Sequence, residues 1–548
     1  MLQTTTNQLT EYDLKMIEEF QNKIYSKSLE ISFNETLGSI EFLQYLDIQQ
    51  LKISSCEIAK PQLKSETITD LALEFCAIQN IDGLKLSNLE VLSLLGNYHL
   101  IQFKNNTLFH KLRELNLSRN KYVDLSFLQF SGYLTKLDVS SNKLTNISVM
   151  EYLNNLKELD ISSNDKIDIS PLQYLKQLTH LCMCWINASN ISVLSLLSNL
   201  VELEVSYNEI KDLNPLKSLL KLIKLSICRN NFQNLNALSF LVNLNEIDIS
   251  DNGFDNMEPL QDMNQVTKLI LYSNQLKNVL FLRSLTNLVY LDISQNPGVD
   301  IQALQYLNNL TFLNLESCEI NNLIILRLLD NLQELNVSNN VGIDISTIYN
   351  TSIVKLKLNA NDLCDVSVLK KFNQLKELEL NSNNQINIVP LQYFKQLISL
   401  SMYDCGLYDI SALTPLKNLI YLNISQNSIS NLNPLSEMNN LVELDIQCNI
   451  IQNFSAIQNH INFDKYQINN QNEPIDEELV LLNKMNIVNA TNNSLHVVNN
   501  KLQAFKDSFN TINGRIHLQL QNSVNKQLQF SCETLEFYNK QNIHEICQ

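Results

Sequence analysis

Glycine and proline are scarce in this chain, 9 of each in 548 residues. Average usage is roughly 7% and 5%, so collagen-like and Gly/Ser-linker architectures are excluded. Little material is left for the glycine loops that cradle phosphates in nucleotide-binding enzymes. Basic charge is short too: 40 Lys and Arg face 57 Asp and Glu, a net −17. A nucleic-acid binder needs a basic stripe, so no nucleic-acid partner is expected. No stretch of about 18 uninterrupted apolar residues exists, so no membrane span is expected. The opening Met1-Leu2-Gln3-Thr4-Thr5-Thr6-Asn7 lacks the basic and apolar regions of a secretory signal. The expected compartment is therefore the cytoplasm or nucleus. The 11 cysteines are odd in number and spread singly along the chain, which suits reduced thiols better than a disulfide framework.

Internal repetition is what the chain has in abundance. Leu134-Thr-Lys-Leu137-Asp-Val139-Ser-Ser-Asn142 returns as Leu156-Lys-Glu-Leu159-Asp-Ile161-Ser-Ser-Asn164, and again as Leu200-Val-Glu-Leu203-Glu-Val205-Ser-Tyr-Asn208. The opening apolar residues recur every 22 positions from 112 to 441, with one step of 21 between 332 and 353. Looser copies begin at 48, 68 and 89, which makes about nineteen repeats over roughly Ile48 to Phe463. Leucine alternating with polar residues is the period of a strand with one buried face. The closing Asn can satisfy backbone groups that stacked neighbours would leave buried and unpaired. Cys56, Cys76, Cys318 and Cys405 occupy the same slot.

The second half of each repeat reads Asp168-Ile-Ser-Pro171-Leu172, Asp212-Leu-Asn-Pro215-Leu216, Asn256-Met-Glu-Pro259-Leu260 or Asn431-Leu-Asn-Pro434-Leu435. Ser or Asn before Pro suggests a helix N-cap and first turn, followed by one turn of 3₁₀- or α-helix. Pro171, Pro215, Pro259, Pro390 and Pro434 all fall in this slot.

The frame L-x-x-L-x-L-x-x-N/C-x-L resembles the leucine-rich repeat family. The 22-residue unit with D/N-I/L-S/N-P-L is similar to a subclass found in internalin-type bacterial adhesins and in a regulatory subunit of protein phosphatase 1. The resemblance implies an α/β solenoid: a curved parallel β-sheet on a concave face, short 3₁₀ or α turns on the convex face, and helical terminal extensions. It also implies that Cys in the Asn slot is structural, and that the protein is a non-enzymatic scaffold binding a protein partner. Two finer versions are a regulatory or targeting subunit of a serine/threonine phosphatase and an internalin-like surface adhesin.

No repeat can bury its leucines alone, so only the stack is stable. Residues 1–46 read as an N-terminal helical cap, with Met16, Phe20 and Ile24 at helical spacing between Tyr12 and Ser26. Residues 47–466 read as the repeat array, with 456–466 closing its far end. Residues 467–548 read as an Asn/Gln-rich helical extension, with Pro474 before an acidic first turn and Leu502, Phe505, Phe509 and Ile512 at helical spacing. A partly disordered tail is the blander alternative.

No P-loop, dinucleotide fingerprint, nucleophile elbow or zincin motif is present, so no catalytic residues and no cofactor are expected. In the strand frame His180, Cys182 and Cys184 face one way, about 6.5–7 Å apart. Side chains two apart on one strand seldom converge as tetrahedral ligands, so no metal is expected. The outward strand positions carry a net charge of about −11 of the total −17. A surface of one sign focuses its field and favours a partner with a basic surface; the alternative is that the acids only keep an exposed sheet in solution. The acidic candidates for binding are Glu202, Glu204, Asp248 and Asp292. The aromatic candidates are Trp185, the only Trp, with Tyr207; Tyr272, Tyr290 and Phe312 from consecutive repeats; and Tyr403 with Tyr421. Exposed aromatics among polar residues are hot-spot material, although cross-strand pairs also stabilise sheets without binding anything. Neither the partner's identity nor the oligomeric state follows from the sequence.

Overall fold

A 22-residue period in which the same two leucines return to the same place requires each strand to lie parallel to the last, in register. The computed structural model has this arrangement. It describes residues 11–32, 39–58, 61–100, 103, 109–121, 124–349, 352–451, 453 and 455–457. The extension expected over 467–548 and most of the closing segment expected over 456–466 lie outside the described residues. The chain divides into two compact units, one of residues 1–362 with 371–378, the other of 363–370 with 379–548.

In the first unit the strands Glu158–Asp160, His180–Cys182, Glu202–Glu204, Lys224–Ser226 and Glu246–Asp248 pair side by side. Their central apolar residues Leu159, Leu181, Leu203, Leu225 and Ile247 stand in one line. The parallel pairing runs from Ser28–Ser32 through to Lys355–Lys357. Each central leucine is buried, and its strand neighbours are half-exposed or exposed. A second apolar residue two positions on, such as Ile161, Val205 or Ile249, is fully buried.

After most strands the chain turns through a left-handed residue into an Asn; Cys takes the slot in four repeats and Ile186 takes it after His180–Cys182. Asn142 shows what the slot does. Its amide nitrogen donates to the Val139 carbonyl of its own repeat, 2.8 Å, and to the Leu117 carbonyl of the repeat before, 3.0 Å; its oxygen accepts from the Asn120 amide at 3.0 Å. Asn164, Asn208, Asn230 and Asn274 donate to the same pair of carbonyls in their own places. The four slot cysteines are buried, and their thiols donate to backbone carbonyls. Burial pushes the thiols of Cys76, Cys318 and Cys405 up to about 11, which keeps them protonated donors.

The far side of each unit is a single 3₁₀ turn, such as Ser170–Tyr174 or Asn214–Ser218, with one leucine buried beneath it. The expected cap is displaced by two positions. Ser170 and Asn214 are the first residues of their turns, and the capping oxygen comes from Asp168 or Asp212. Asp168 accepts from the Ser170 amide and hydroxyl, each at 2.9 Å. The Asp or Asn side chain reaches the amide two residues on, an Asx turn that leaves the Ser free to start the helix. Replacing Asp212 by Ala should therefore cost about 1 kcal/mol and Asp212→Asn very little, as read by urea denaturation. The Ser170 and Ser367 amides and hydroxyls hold the carboxyls of Asp168 and Asp365 below the ordinary value. That contribution to stability is complete above the unfolded carboxyl's pKa and is lost as pH falls through the depressed folded value.

At the N-terminus the helix Glu11–Gln21 buries Met16 and Phe20, and Phe20 stacks on Phe42 at 5.8 Å. It ends at Gln21, short of the Tyr12–Ser26 expectation, and Tyr25 then pairs with Ser28 across the left-handed Ser26 and Lys27. A strand, Ser28–Ser32, follows and pairs with Gln50–Ser54. Ser28-Leu-Glu-Ile-Ser32 has the strand alternation, and Asn34 falls at the spacing of the Asn slot, but Ser26 stands where the frame opens on an apolar residue, so a search for L-x-x-L passes over it.

In the second unit the strands Ser399–Ser401, Tyr421–Asn423 and Glu443–Asp445 repeat the arrangement, with Leu400, Leu422 and Leu444 in register. Asn427 and Asn449 form the same ladder. Among the described residues no helix is long and apolar enough to cross a membrane.

Candidate functional site

The exposed face of the first unit's sheet is best described as columns, because parallel register stacks one residue per repeat. The first column, at the first residue of each strand, reads Glu114, Lys136, Glu158, His180, Glu202, Lys224, Glu246, Lys268. Its signs alternate. Lys136 lies 2.9 Å from Glu158, and Lys224 lies 3.3 Å from Glu202 and 3.9 Å from Glu246. Like charges directly opposite destabilise a sheet and opposite charges support it, so this column is a self-neutralising ladder. Glu202, a binding candidate from the sequence, belongs to it.

The second column is different. From the third-residue position of Lys136–Asp138 to that of Tyr290–Asp292 it reads Asp138, Asp160, Cys182, Glu204, Ser226, Asp248, Ile270 and Asp292, a stretch with no cation; Lys52 and Lys357 stand in the same column toward its two ends. Part of its acid is structural. Asp138 accepts from the Ser140 amide at 2.9 Å and hydroxyl at 2.7 Å; Asp248 and Asp292 do the same with Ser250 and Ser294. Asn does this job equally well elsewhere, as Asn116 does for Ser118 and Asn423 for Ser425. The turn needs an acceptor here; the negative charge is additional. Burial pushes the Asp160 and Asp248 carboxyls above the ordinary value, against the hydrogen bonds from Ser162 and Ser250. A cation brought against this column would relieve that cost.

The aromatic candidates fall into two stacks and three separate residues. Trp185 and Tyr207 stack with centroids 4.2 Å apart and planes at 14°, and the Arg229 guanidinium lies 5.4 Å over Tyr207. Arg229 in turn pairs with Asp251 at 3.3 Å. Tyr290 and Phe312 stack at 4.0 Å, nearly coplanar, with Lys268 over Tyr290. Tyr272 stands in another column, and no ring contact joins it to that stack. In the second unit Tyr403 and Tyr421 likewise fall in different columns with no ring contact between them; the Tyr403 amide is tied to Asn381.

Trp185 and Tyr207 also occupy the left-handed residue before the Asn slot, both at φ 57°. The two repeats before them place Ser141 and Ser163 there. A bulky residue at positive φ is strained, and a strained residue that stays 55% exposed points to a use beyond folding. Only backbone geometry reveals this.

The expectation that His180, Cys182 and Cys184 diverge is corrected in part. The Cys182 thiol donates to a Glu204 carboxylate oxygen at 3.1 Å, and the ligand atoms of Cys182, Cys184 and Glu204 lie within 4.8 Å of one another. The strand ends at Cys182, so Cys184 sits in the turn rather than one strand step away. His180 stays outside this group, with Nδ1 against the Thr179 hydroxyl and Nε2 3.8 Å from Glu202.

A further apolar feature escaped sequence reasoning. Phe130, Tyr152, Tyr174 and Leu196 close successive 3₁₀ turns and are half-exposed. Their constant spacing of 22 is the signal that could have found them.

A family profile described as "Leucine Rich repeats (2 copies)" matches residues 134–174. No curated protein matches the chain. Among solved structures, an internalin from Listeria monocytogenes is 20% identical over 75% of this chain and 95% of its own, with a TM-score of 0.41. A leucine-rich repeat protein from Leptospira interrogans is 22% identical over 63% and 86%, with a TM-score of 0.47. TLR13, in a complex with ssRNA13, is 18% identical over 78% and 75%, with a TM-score of 0.55, a likeness of fold. Strands in parallel register, an Asn ladder and one 3₁₀ turn per repeat define a repeat fold. The chain has the leucine-rich repeat fold, and residues 134–174 carry repeats of that family.

Proposed function

We propose that the chain is a non-enzymatic scaffold that captures a protein partner with a basic surface on the exposed strand face of its first unit. The observation that carries this reading is the second column. Its stretch from Asp138 to Asp292 holds Asp138, Asp160, Glu204, Asp248 and Asp292 with no cation between them, where the turns need only an acceptor. Trp185 with Tyr207, and Tyr290 with Phe312, flank it as rigid anchors. TLR13 is in complex with an RNA, but a phosphate backbone would meet repulsion here.

Crosslinking capture from cells, repeated across salt concentrations, tests the reading. A specific basic partner should be recovered, and its recovery should fall as salt rises. Capture indifferent to salt would count against the acidic column. A phosphatase catalytic subunit among the captured proteins would select the regulatory-subunit version, and capture only from the cell exterior would select the adhesin.

A further inference from the structure

We propose that Cys182, Cys184 and Glu204 form a binding site for a thiophilic divalent metal ion of zinc-like ligand preference. Several other repeats fill the two cysteine positions with Asp or Asn and then Ser, joined by a hydrogen bond: Asn116 with Ser118, Asp138 with Ser140, Asp248 with Ser250, Asp292 with Ser294. In this repeat both members of the pair are cysteine. Unlike Cys56, Cys76, Cys318 and Cys405, these two are half-exposed on the strand face and lie outside the core slot. Cys228, two repeats on at the position of Cys184, is buried and has no cysteine two residues before it; among the described residues, only here do two thiols stand together on the strand face.

The donor set suits a soft or borderline ion. Two thiolates and one carboxylate match zinc's preference, with metal–sulfur bonds of about 2.3 Å and metal–oxygen bonds of about 2.0–2.2 Å. Tetrahedral ligands at those lengths lie about 3.4–3.8 Å apart. The three atoms here lie within 4.8 Å, and Cys182 is already 3.1 Å from Glu204, so small side-chain rotations complete the set. Glu204 is exposed, which leaves a fourth position open to water or to a ligand from outside. The Ser162 oxygen accepts from the Cys184 amide at 3.1 Å and holds the turn in place. Asp160 lines a shallow cleft of about 250 Å³ together with Cys182 and Glu204, and its charge favours a cation there. Binding would release the two thiol protons.

The test uses the full chain, reduced and freed of metal with a chelator, then titrated with Co²⁺ and competed with Zn²⁺. The expected result is one tight equivalent with a thiolate-to-cobalt charge-transfer band. The control variant, Cys182→Asn with Cys184→Ser, reproduces the Asn116–Ser118 pair and should keep the native circular dichroism. In it the band should disappear and affinity fall by more than about tenfold, the loss that removing even an outer-shell partner can produce. Glu204→Gln should weaken binding while keeping the band. The proposal is overturned if the double variant binds as the parent does, if the parent shows no thiolate band, or if the two thiols pair as a disulfide under reducing conditions. Partner capture is not part of the readout, so failure here leaves the scaffold reading standing, and the reverse.

Discussion

Asn208→Ala should destabilise the first unit by about 3–5 kcal/mol, more than any surface change in the same repeat. The side chain serves both neighbours at once. Its amide nitrogen donates to the Met183 and Val205 carbonyls, and its oxygen accepts from the Ile186 and Ala188 amides. Alanine strands buried backbone groups, each costing about 1–3 kcal/mol when left unpaired. The space left is lined by two carbonyls and two amides, so a water that enters it recovers part of the loss and sets the lower end of the range. Because stability in a repeat array is a sum of unit and nearest-neighbour terms, the loss should appear as local opening around residues 183–208. Hydrogen exchange should locate it there, and the urea midpoint should fall. Asn208→Cys should cost roughly half as much, because thiols in this slot reach the same carbonyls, as Cys405 does toward Leu380. Cysteine is a poor acceptor, so the two amides remain unserved. Equal losses for Ala and Cys would show that the donor half of the ladder contributes nothing.

How much of this was legible beforehand depends on the range of the signal. The Asn ladder and the buried leucine columns are written in a strict 22-residue frame, and each position repeats often enough to identify its role. The alternation Glu158, His180, Glu202, Lys224, Glu246 is equally visible once the repeats are aligned. Counting acids across the whole face hides it, because a sum cannot distinguish a laddered Glu202 from Asp248, whose column neighbours are Ser226 and Ile270. Four features lay outside the frame. The strand Ser28–Ser32 carries only part of the signature, Leu29, Ile31 and Asn34 without the apolar opening residue. The cap at Asp168 depends on which oxygen reaches an amide, and that is a matter of turn geometry. The approach of Cys184 to Cys182 depends on where the strand stops. The strain at Trp185 depends on a backbone angle that the residue's identity argues against.

The binding reading makes its sharpest statement where stability and affinity should separate. Asp138→Asn, Asp248→Asn and Asp292→Asn, combined, keep an acceptor for Ser140, Ser250 and Ser294, as Asn116 and Asn423 already do for theirs. The fold should stay within about 1 kcal/mol of the parent, since surface changes of this kind are usually small. Burial already makes the ionised form of Asp248 costly, so neutralising it removes a penalty as well as a charge. Partner affinity should nevertheless fall about tenfold to a hundredfold, mostly through a slower association rate and a flatter salt dependence. Glu204 is left out of the set so that metal binding does not enter the result. Glu202→Gln should do far less to affinity, because Lys224 already neutralises that carboxylate. Trp185→Ser supplies the apolar half of the test. Serine fits the left-handed position, as Ser163 does one repeat earlier, and the relief of strain offsets the lost stack on Tyr207, worth about 0.5–1.5 kcal/mol. Stability should hardly move, whereas loss of an aromatic anchor should weaken capture by about 2 kcal/mol or more, some thirtyfold. Surface plasmon resonance against the captured partner, beside urea denaturation, would measure both quantities. If neutralising the column and removing Trp185 leave affinity intact, the strand face only keeps the sheet in solution and the partner binds elsewhere.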